Sequence, residues 1–220
     1  MFRFYTVRDI RMAHKKFTAT DDNGMDMSAE LANFANFIGL DTAAPNRYSI
    51  LLVLGLFGGY KSGHLNPAKI IHEIKALEGI GTSSQLKPAS LFKHPPLKGL
   101  WHKHYLEDGL RPFAINIQKG LKKHGIPFVK QRILEAQIAG EERYVSIEDC
   151  KLIADDVIHG NWMRLAKSEA LTGEWIVYAQ HEGKNYYLCL GKHDSGDDEL
   201  RKQIEVVCCQ EFTFLTTLLA

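Results

Sequence analysis

The sequence predicts an α+β fold: a mostly helical single domain with a C-terminal β-hairpin followed by a helix. Apolar residues recur at helical spacing through most of the 220 residues. The runs richest in β-branched and aromatic residues, EWIVYAQH and NYYLCL, fall together between residues 174 and 190. Strands do not alternate with helices as they would in a parallel βαβ sheet. With 45 % hydrophobic and 24 % charged residues the chain has an ordinary globular composition and enough length to bury a core.

The first seventeen residues fit either a short strand built on Phe2, Phe4 and Val7 or a helix capped by Thr6, and both readings stay open. Thr20 to Gly24 (TDDNG) is turn chemistry, after which Ser28 is expected to cap a helix facing inward through Leu31, Phe34, Ala35 and Ile38. Ile50 to Phe57 is an unbroken apolar run of about eight residues, well short of the roughly 20 that span a membrane, and reads as buried core. Asn66 followed by Pro67 predicts an N-cap and first helical residue, with Ile70, Ile71, Ile74 and Leu77 as the buried stripe and a stop before Gly79. Residues 80–100 contain three prolines and several small residues, which predicts a long irregular connection.

A helix follows from Leu110 to Lys123, burying Phe113, Ile117 and Leu121, turning Lys119, Lys122 and Lys123 to water, and stopping at Gly125. Phe128 to Ala139 fits either a strand or a helix, with helix the favoured reading. Ser146 with Asp149 three residues on forms a capping-box pattern that opens a further one, with Ile147, Cys150, Ala154 and Val157 facing inward until Gly160. The hairpin turns at Glu182-Gly183-Lys184, and a last helix begins near Asp197 with Leu200, Ile204 and Val207 directed to the core. One compact domain over 1–220 is expected, with a helical part at 1–86, a basic segment at 87–132 and an acidic α+β part at 133–220 as its subdivision.

That subdivision follows charge. Residues 1–86 hold 9 basic and 8 acidic residues, 87–132 hold 10 and 2, and 133–220 hold 8 and 16, so a net of +1 conceals blocks of +8 and −8. A concentrated basic block implies a phosphate-bearing or acidic partner. Arg3, Arg8 and Arg11 interrupt the start of the chain, so no secretion signal is expected. The four cysteines lack CxxC spacing and read as reduced, mostly buried thiols of a cytoplasmic protein.

Within the basic block, residues 93–105 read KHPPLKGLWHKHY. Imidazoles exchange protons near neutral pH, and flanking ammonium groups bind phosphate and stabilise developing negative charge, the requirements of metal-independent RNA backbone cleavage. His102, His104 and His94 are therefore the candidate catalytic residues. Lys93, Lys98, Lys103, Arg111, Lys119, Lys122 and Lys123 are the candidate phosphate contacts, with Trp101 and Tyr105, alongside Phe92, as platforms for unpaired bases. If 101–105 is a strand, His102 and His104 share a face and also invite a metal-assisted hydrolase reading; on a helix they point apart.

Other signals are weaker. His181, His193, Tyr186, Tyr187 and Asp194 could cluster at one end of the hairpin. The GLFGG at 55–59 lacks the remainder of a phosphate loop, and no cofactor fingerprint appears. The expected partners are an RNA or DNA backbone, or alternatively an acidic protein surface or a second copy, in which case the chain is a non-catalytic, self-associating module with opposite-charge faces.

Overall fold

A computed structural model of the chain describes residues 18–192 and 196–220. The opening strand-or-helix question, together with His193 and Asp194, lies outside the described residues. The chain forms two compact units. Of the described residues, the first takes 18–84, 88–108, 173–192 and 196–220, and the second takes 85–87 and 109–172. Their boundary runs through the basic segment, placing 88–108 in one unit and 109–132 in the other.

The first unit is an antiparallel sheet between two helical layers. Its elements are α1 (Ser28–Phe37), α2 (Leu40–Ala43), α3 (Ile50–Lys61), α4 (Pro67–Leu77), β1 (Ser90–Leu91) and β2 (Trp101–Tyr105). The second unit then intervenes with α5 (Leu110–His124), α6 (Pro127–Ala139), α7 (Ile147–Asp155) and α8 (Asn161–Lys167), a π-helical turn at Asp156–Gly160 joining the last two. The chain returns through β3 (Glu174–His181) and β4 (Lys184–Gly191) and ends in α9 (Asp197–Gln203), a π-helical turn, α10 (Cys209–Glu211) and α11 (Phe214–Leu218). The sheet order is β1-β2-β3-β4. The mixed α+β architecture, with its late hairpin followed by a helix, agrees with expectation. No helix among the described residues is long and apolar enough to cross a membrane.

Strand alternation sorts the sheet into two faces. Tyr105, Ile176, Tyr178 and Tyr187 join a core with α1 to α4, while Val177, Ala179, Leu188 and Cys189 join another with the C-terminal helices and with Leu97 and Leu100. A register shift between Val177 and Tyr178 lets Val177 oppose Cys189 while Tyr178 opposes Tyr187, which leaves Leu188 as the extra residue of a bulge. Glu182 and Gly183, both at positive φ, close the hairpin.

Local signals explain most elements. Asn66 caps α4 by accepting from the Ala68 N–H, with Pro67 in its first turn, and Ser146 and Asp149 make the expected capping box. The apolar run is α3, whose all-round hydrophobicity hides its period; Ser49 caps it by accepting from the Leu52 N–H.

Several expectations need correction. Ser28 is the first residue of α1 rather than its cap, and its Oγ instead accepts from the Ala19 N–H at 3.1 Å. The 80–100 connection is largely irregular, as expected, with β1 inside it, but it is packed down. Its Leu97 and Leu100 are buried, and Phe92 exchanges backbone hydrogen bonds with Leu100 and Gly99.

The largest departures are in the second unit. Phe113 and Leu121 are exposed, Ile147 is 81 % exposed, and α6 and α7 contain no buried residue. Cys150 is exposed, so its thiol is not part of a core. The unit buries Leu86, Leu165, Ala166 and Leu171, and buried polar groups add to them. Buried Asn116 donates to the Pro112 and Thr172 carbonyls at 2.9 and 2.7 Å and accepts from the Thr172 N–H at 2.9 Å. Buried Asn161 donates to Gly125 and Val157 carbonyls, both at 3.2 Å. Gly120 permits the close crossing of α5 and α8: a Cβ there would lie 2.7 Å from that of Asn161.

Candidate functional site

The sequence window 93–105 is a loop followed by a strand, so its residues are distributed by period two. Trp101, Lys103 and Tyr105 point to one face of the sheet and His102 and His104 to the other. Lys93, His94 and Lys98 are exposed on the preceding loop.

The imidazole pair is real in geometry. His102 and His104 have ring centroids 5.5 Å apart, nearly perpendicular. His102 also lies 4.5 Å from the Phe92 ring and 5.4 Å from Trp175, within an aromatic pocket. His104 is only 4 % exposed, and its Nδ1 faces the Gly173 carbonyl oxygen at 2.6 Å, which places the ring proton on that nitrogen. Gly173 must be glycine for this approach, because a Cβ there would run into the Tyr105 carbonyl. An imidazole held this way fixes the chain leading into β3, and its burial keeps a polymeric substrate away. Replacing His104 with Gln is expected to lower stability by about 1–2 kcal/mol through the lost, buried hydrogen bond. Denaturant unfolding measures that loss, while affinity for RNA should stay within about twofold if the ring serves the fold; a large fall in affinity with unchanged stability would reverse the assignment.

On the opposite face, Tyr105 is 1 % exposed and leaves no ring surface for a base. Burial pushes its phenol well above the usual tyrosine range, with Glu107 and Glu174 adding to the effect. Trp101 stacks near Tyr178 at 6.3 Å between centroids. Lys103 is a buried ammonium that donates to Ser84 Oγ at 2.8 Å and lies 3.3 Å from a carboxylate oxygen of buried Glu73. Lys103 therefore completes an internal ion pair that sequence reasoning missed. So did the network of Arg47, Glu78, Asn185 and Tyr187 in the same unit, in which the carboxylate of Glu78 accepts from all three neighbours.

The hairpin-end cluster is divided by the same period-two rule. His181 stacks flat on Phe214 at 4.1 Å and Tyr186 packs beside it, but Tyr187 points to the other face and donates to Glu78 at 2.6 Å. Among the described residues no group of three or more His, Cys, Asp or Glu side chains is placed to hold a metal ion.

The remaining candidates gather on α5. Residues 110–132 carry six basic residues and no acidic one. Arg111, Lys119 and Lys122 follow one side of the helix at spacings of eight and three, with Lys123 beside them. Lys122 and Lys123 are exposed. Lys119 is half-buried and donates to the Ala170 carbonyl, a correction to its expected full exposure. Burial first, and then the neighbouring ammonium groups of Lys87 and Lys123, hold its pKa below the ordinary lysine value. Three cations thus stand close together, and no carboxylate pairs with Lys119, Lys122 or Lys123 among the described residues. The helix C-terminus offsets part of this charge through its partial negative end.

Comparison with known protein families, curated proteins and solved structures finds no match. The chemistry of these surfaces is therefore the whole basis for a functional reading. It divides into an imidazole pair packed against the sheet, with His104 buried and His102 half-buried, and a cationic side of α5 on which Lys122 and Lys123 are exposed.

Proposed function

We propose that this chain engages a phosphate backbone, RNA or another polyphosphate, through the cationic side of α5, and that His102 and His104 take no part in chemistry on it. The observation that carries this reading is the grouping of Lys119, Lys122 and Lys123 in the last turns of α5, a helix without acidic residues. Like charges at this spacing cost free energy in the unliganded protein, and a bound polyanion relieves that cost while releasing its own counterions. Lys122 extends the stripe, and the Lys119 bond to Ala170 fixes one ammonium in place. The contacts address phosphate, so the expected recognition has little sequence preference.

Fluorescence anisotropy of a labelled single-stranded RNA tests the proposal. The logarithm of affinity should fall linearly with the logarithm of salt concentration, and removing each phosphate contact should flatten the slope by about 0.7. The triple variant Lys119→Gln, Lys122→Glu, Lys123→Glu is expected to flatten it by about two and to weaken binding at low salt. Lys93→Glu with Lys98→Glu, on the other unit's loop, should do much less. Absence of binding in about 50 mM salt, where the electrostatic contribution is strong, removes the reading.

A further inference from the structure

One buried polar cluster has a half-exposed hydroxyl at its mouth. In the first unit β2 directs Lys103 toward α4, where Glu73 occupies a buried position, and both side chains are near 5 % exposed. The chain leaves α4 through Gly79 and Gly81, both at positive φ, and turns back so that Ser84 meets the ammonium of Lys103. Ser84 itself is half-buried. Lys103 Nζ lies 2.8 Å from Ser84 Oγ and 3.3 Å from Glu73 Oε2, an oxygen that accepts no hydrogen bond among the described residues. Glu73 Oε1 faces Nε2 of His72 at 3.9 Å, and that imidazole, 43 % exposed, lies 3.4 Å from Thr82 Oγ1 through Nδ1.

Three features separate this cluster from an ion pair that only holds the fold. A hydroxyl that water reaches is bonded to an amine that water does not, the arrangement in which a lysine acts as base toward a serine. The amine is backed by a carboxylate with a vacant acceptor oxygen. That carboxylate adjoins a surface imidazole, which completes a line of proton-exchanging groups from the serine to solvent.

We propose that Ser84 is a nucleophile and that this cluster hydrolyses carboxylic esters by acyl transfer. Lys103 passes one proton to Glu73 Oε2, leaving a neutral amine beside a neutral acid, since a buried ion pair sheds its desolvation penalty when a proton crosses it. As Ser84 Oγ attacks the ester carbonyl carbon, its proton moves to Lys103 Nζ and from there to the departing alkoxide. An alcohol and an acyl-serine ester result. Water then attacks the acyl carbon and gives a proton to Nζ, which returns it to Oγ as the carboxylic acid leaves. The cycle consumes one ester and one water. Esters are the matching class because an alkoxide departs more readily than an amide nitrogen, and the single relayed proton suffices. The site lies within the first unit and does not rest on the polyanion reading.

Treating the full chain with diisopropyl fluorophosphate, followed by peptide mass spectrometry, tests the nucleophile. Ser84 Oγ should displace fluoride and carry the diisopropylphosphoryl group, while the adjacent, exposed Ser83 stays unmodified. With p-nitrophenyl acetate the wild type is expected to release a burst of about one nitrophenolate per chain before slower turnover. Ser84→Ala should lose both label and burst, and Ser83→Ala should keep both. Lys103→Met alone strands a buried charge, so the base is tested in the double variant Lys103→Met, Glu73→Leu, which removes both charges. Labelling of its intact Ser84 should slow by roughly 10²- to 10⁴-fold. A wild type unlabelled at Ser84, a burst that survives Ser84→Ala, or a folded double variant labelled as fast as the wild type would each overturn the proposal.

Discussion

Lys103→Met is expected to destabilise the protein by about 3–5 kcal/mol, because it strands the carboxylate of Glu73 in the interior without its cation. Both side chains are near 5 % exposed, and the ammonium also serves Ser84. Moving a charge out of water is costly, and only mutual attraction and hydrogen bonds offset the cost. The double variant Lys103→Met, Glu73→Leu removes both charges and should recover most of the loss, since apolar pairs often replace buried ion pairs at little cost. Urea unfolding of the four proteins in the cycle measures the coupling. A single variant within about 1 kcal/mol of the wild type would show that water reaches the pair. A domain has only about 5–15 kcal/mol in hand, so the expected loss should be plain in the melting temperature as well.

The same pair shows where sequence reading succeeds and fails. Both residues occupy positions that periodicity assigns to the interior: Glu73 lies three after Ile70 and beside Ile74 on α4, and Lys103 alternates with Trp101 and Tyr105 on β2. Two opposite charges, each at a buried position of its own element, were the available signal, but treating 93–105 as one surface patch obscured it. The hairpin and the α4 and α7 caps were legible because their causes are local, a positive-φ turn or a side-chain cap. β2 was not, since five residues with three cationic or imidazole side chains become a strand only through pairing with β1 and β3. Ile147 failed for the opposite reason: its helical period is real, but nothing in the unit covers that face. The cationic side of α5 was visible in composition, whereas the burial of His104 and Tyr105 depended on contacts distant in sequence.

Glu78 should make the protein acid-sensitive. Burial pushes its carboxyl upward, but hydrogen bonds from Arg47, Tyr187 and Asn185 outweigh that and hold it below the ordinary glutamate value. Arg47 grips both carboxylate oxygens and also donates to the Asn185 carbonyl at 2.7 Å, while Tyr187 and Asn185 donate at 2.6 and 3.1 Å. These bonds tie the segment before α3 and the end of α4 to β4, with the Arg47 and Glu78 side chains 16 % and 14 % exposed. Glu78→Gln keeps the shape but removes the charge that three donors address, and should lower stability at pH 7 by about 2–3 kcal/mol. The folded pKa is depressed, so the carboxylate's contribution is complete above the unfolded value of about 4.3 and is lost as the pH falls through the folded value. The gap between wild type and Glu78→Gln should therefore hold from neutrality down to that range and close below it. Urea unfolding of both proteins at a series of pH values reads the gap directly. A gap that stays constant into strong acid would mean that the charge on Glu78 contributes nothing and that the variant acts through packing alone.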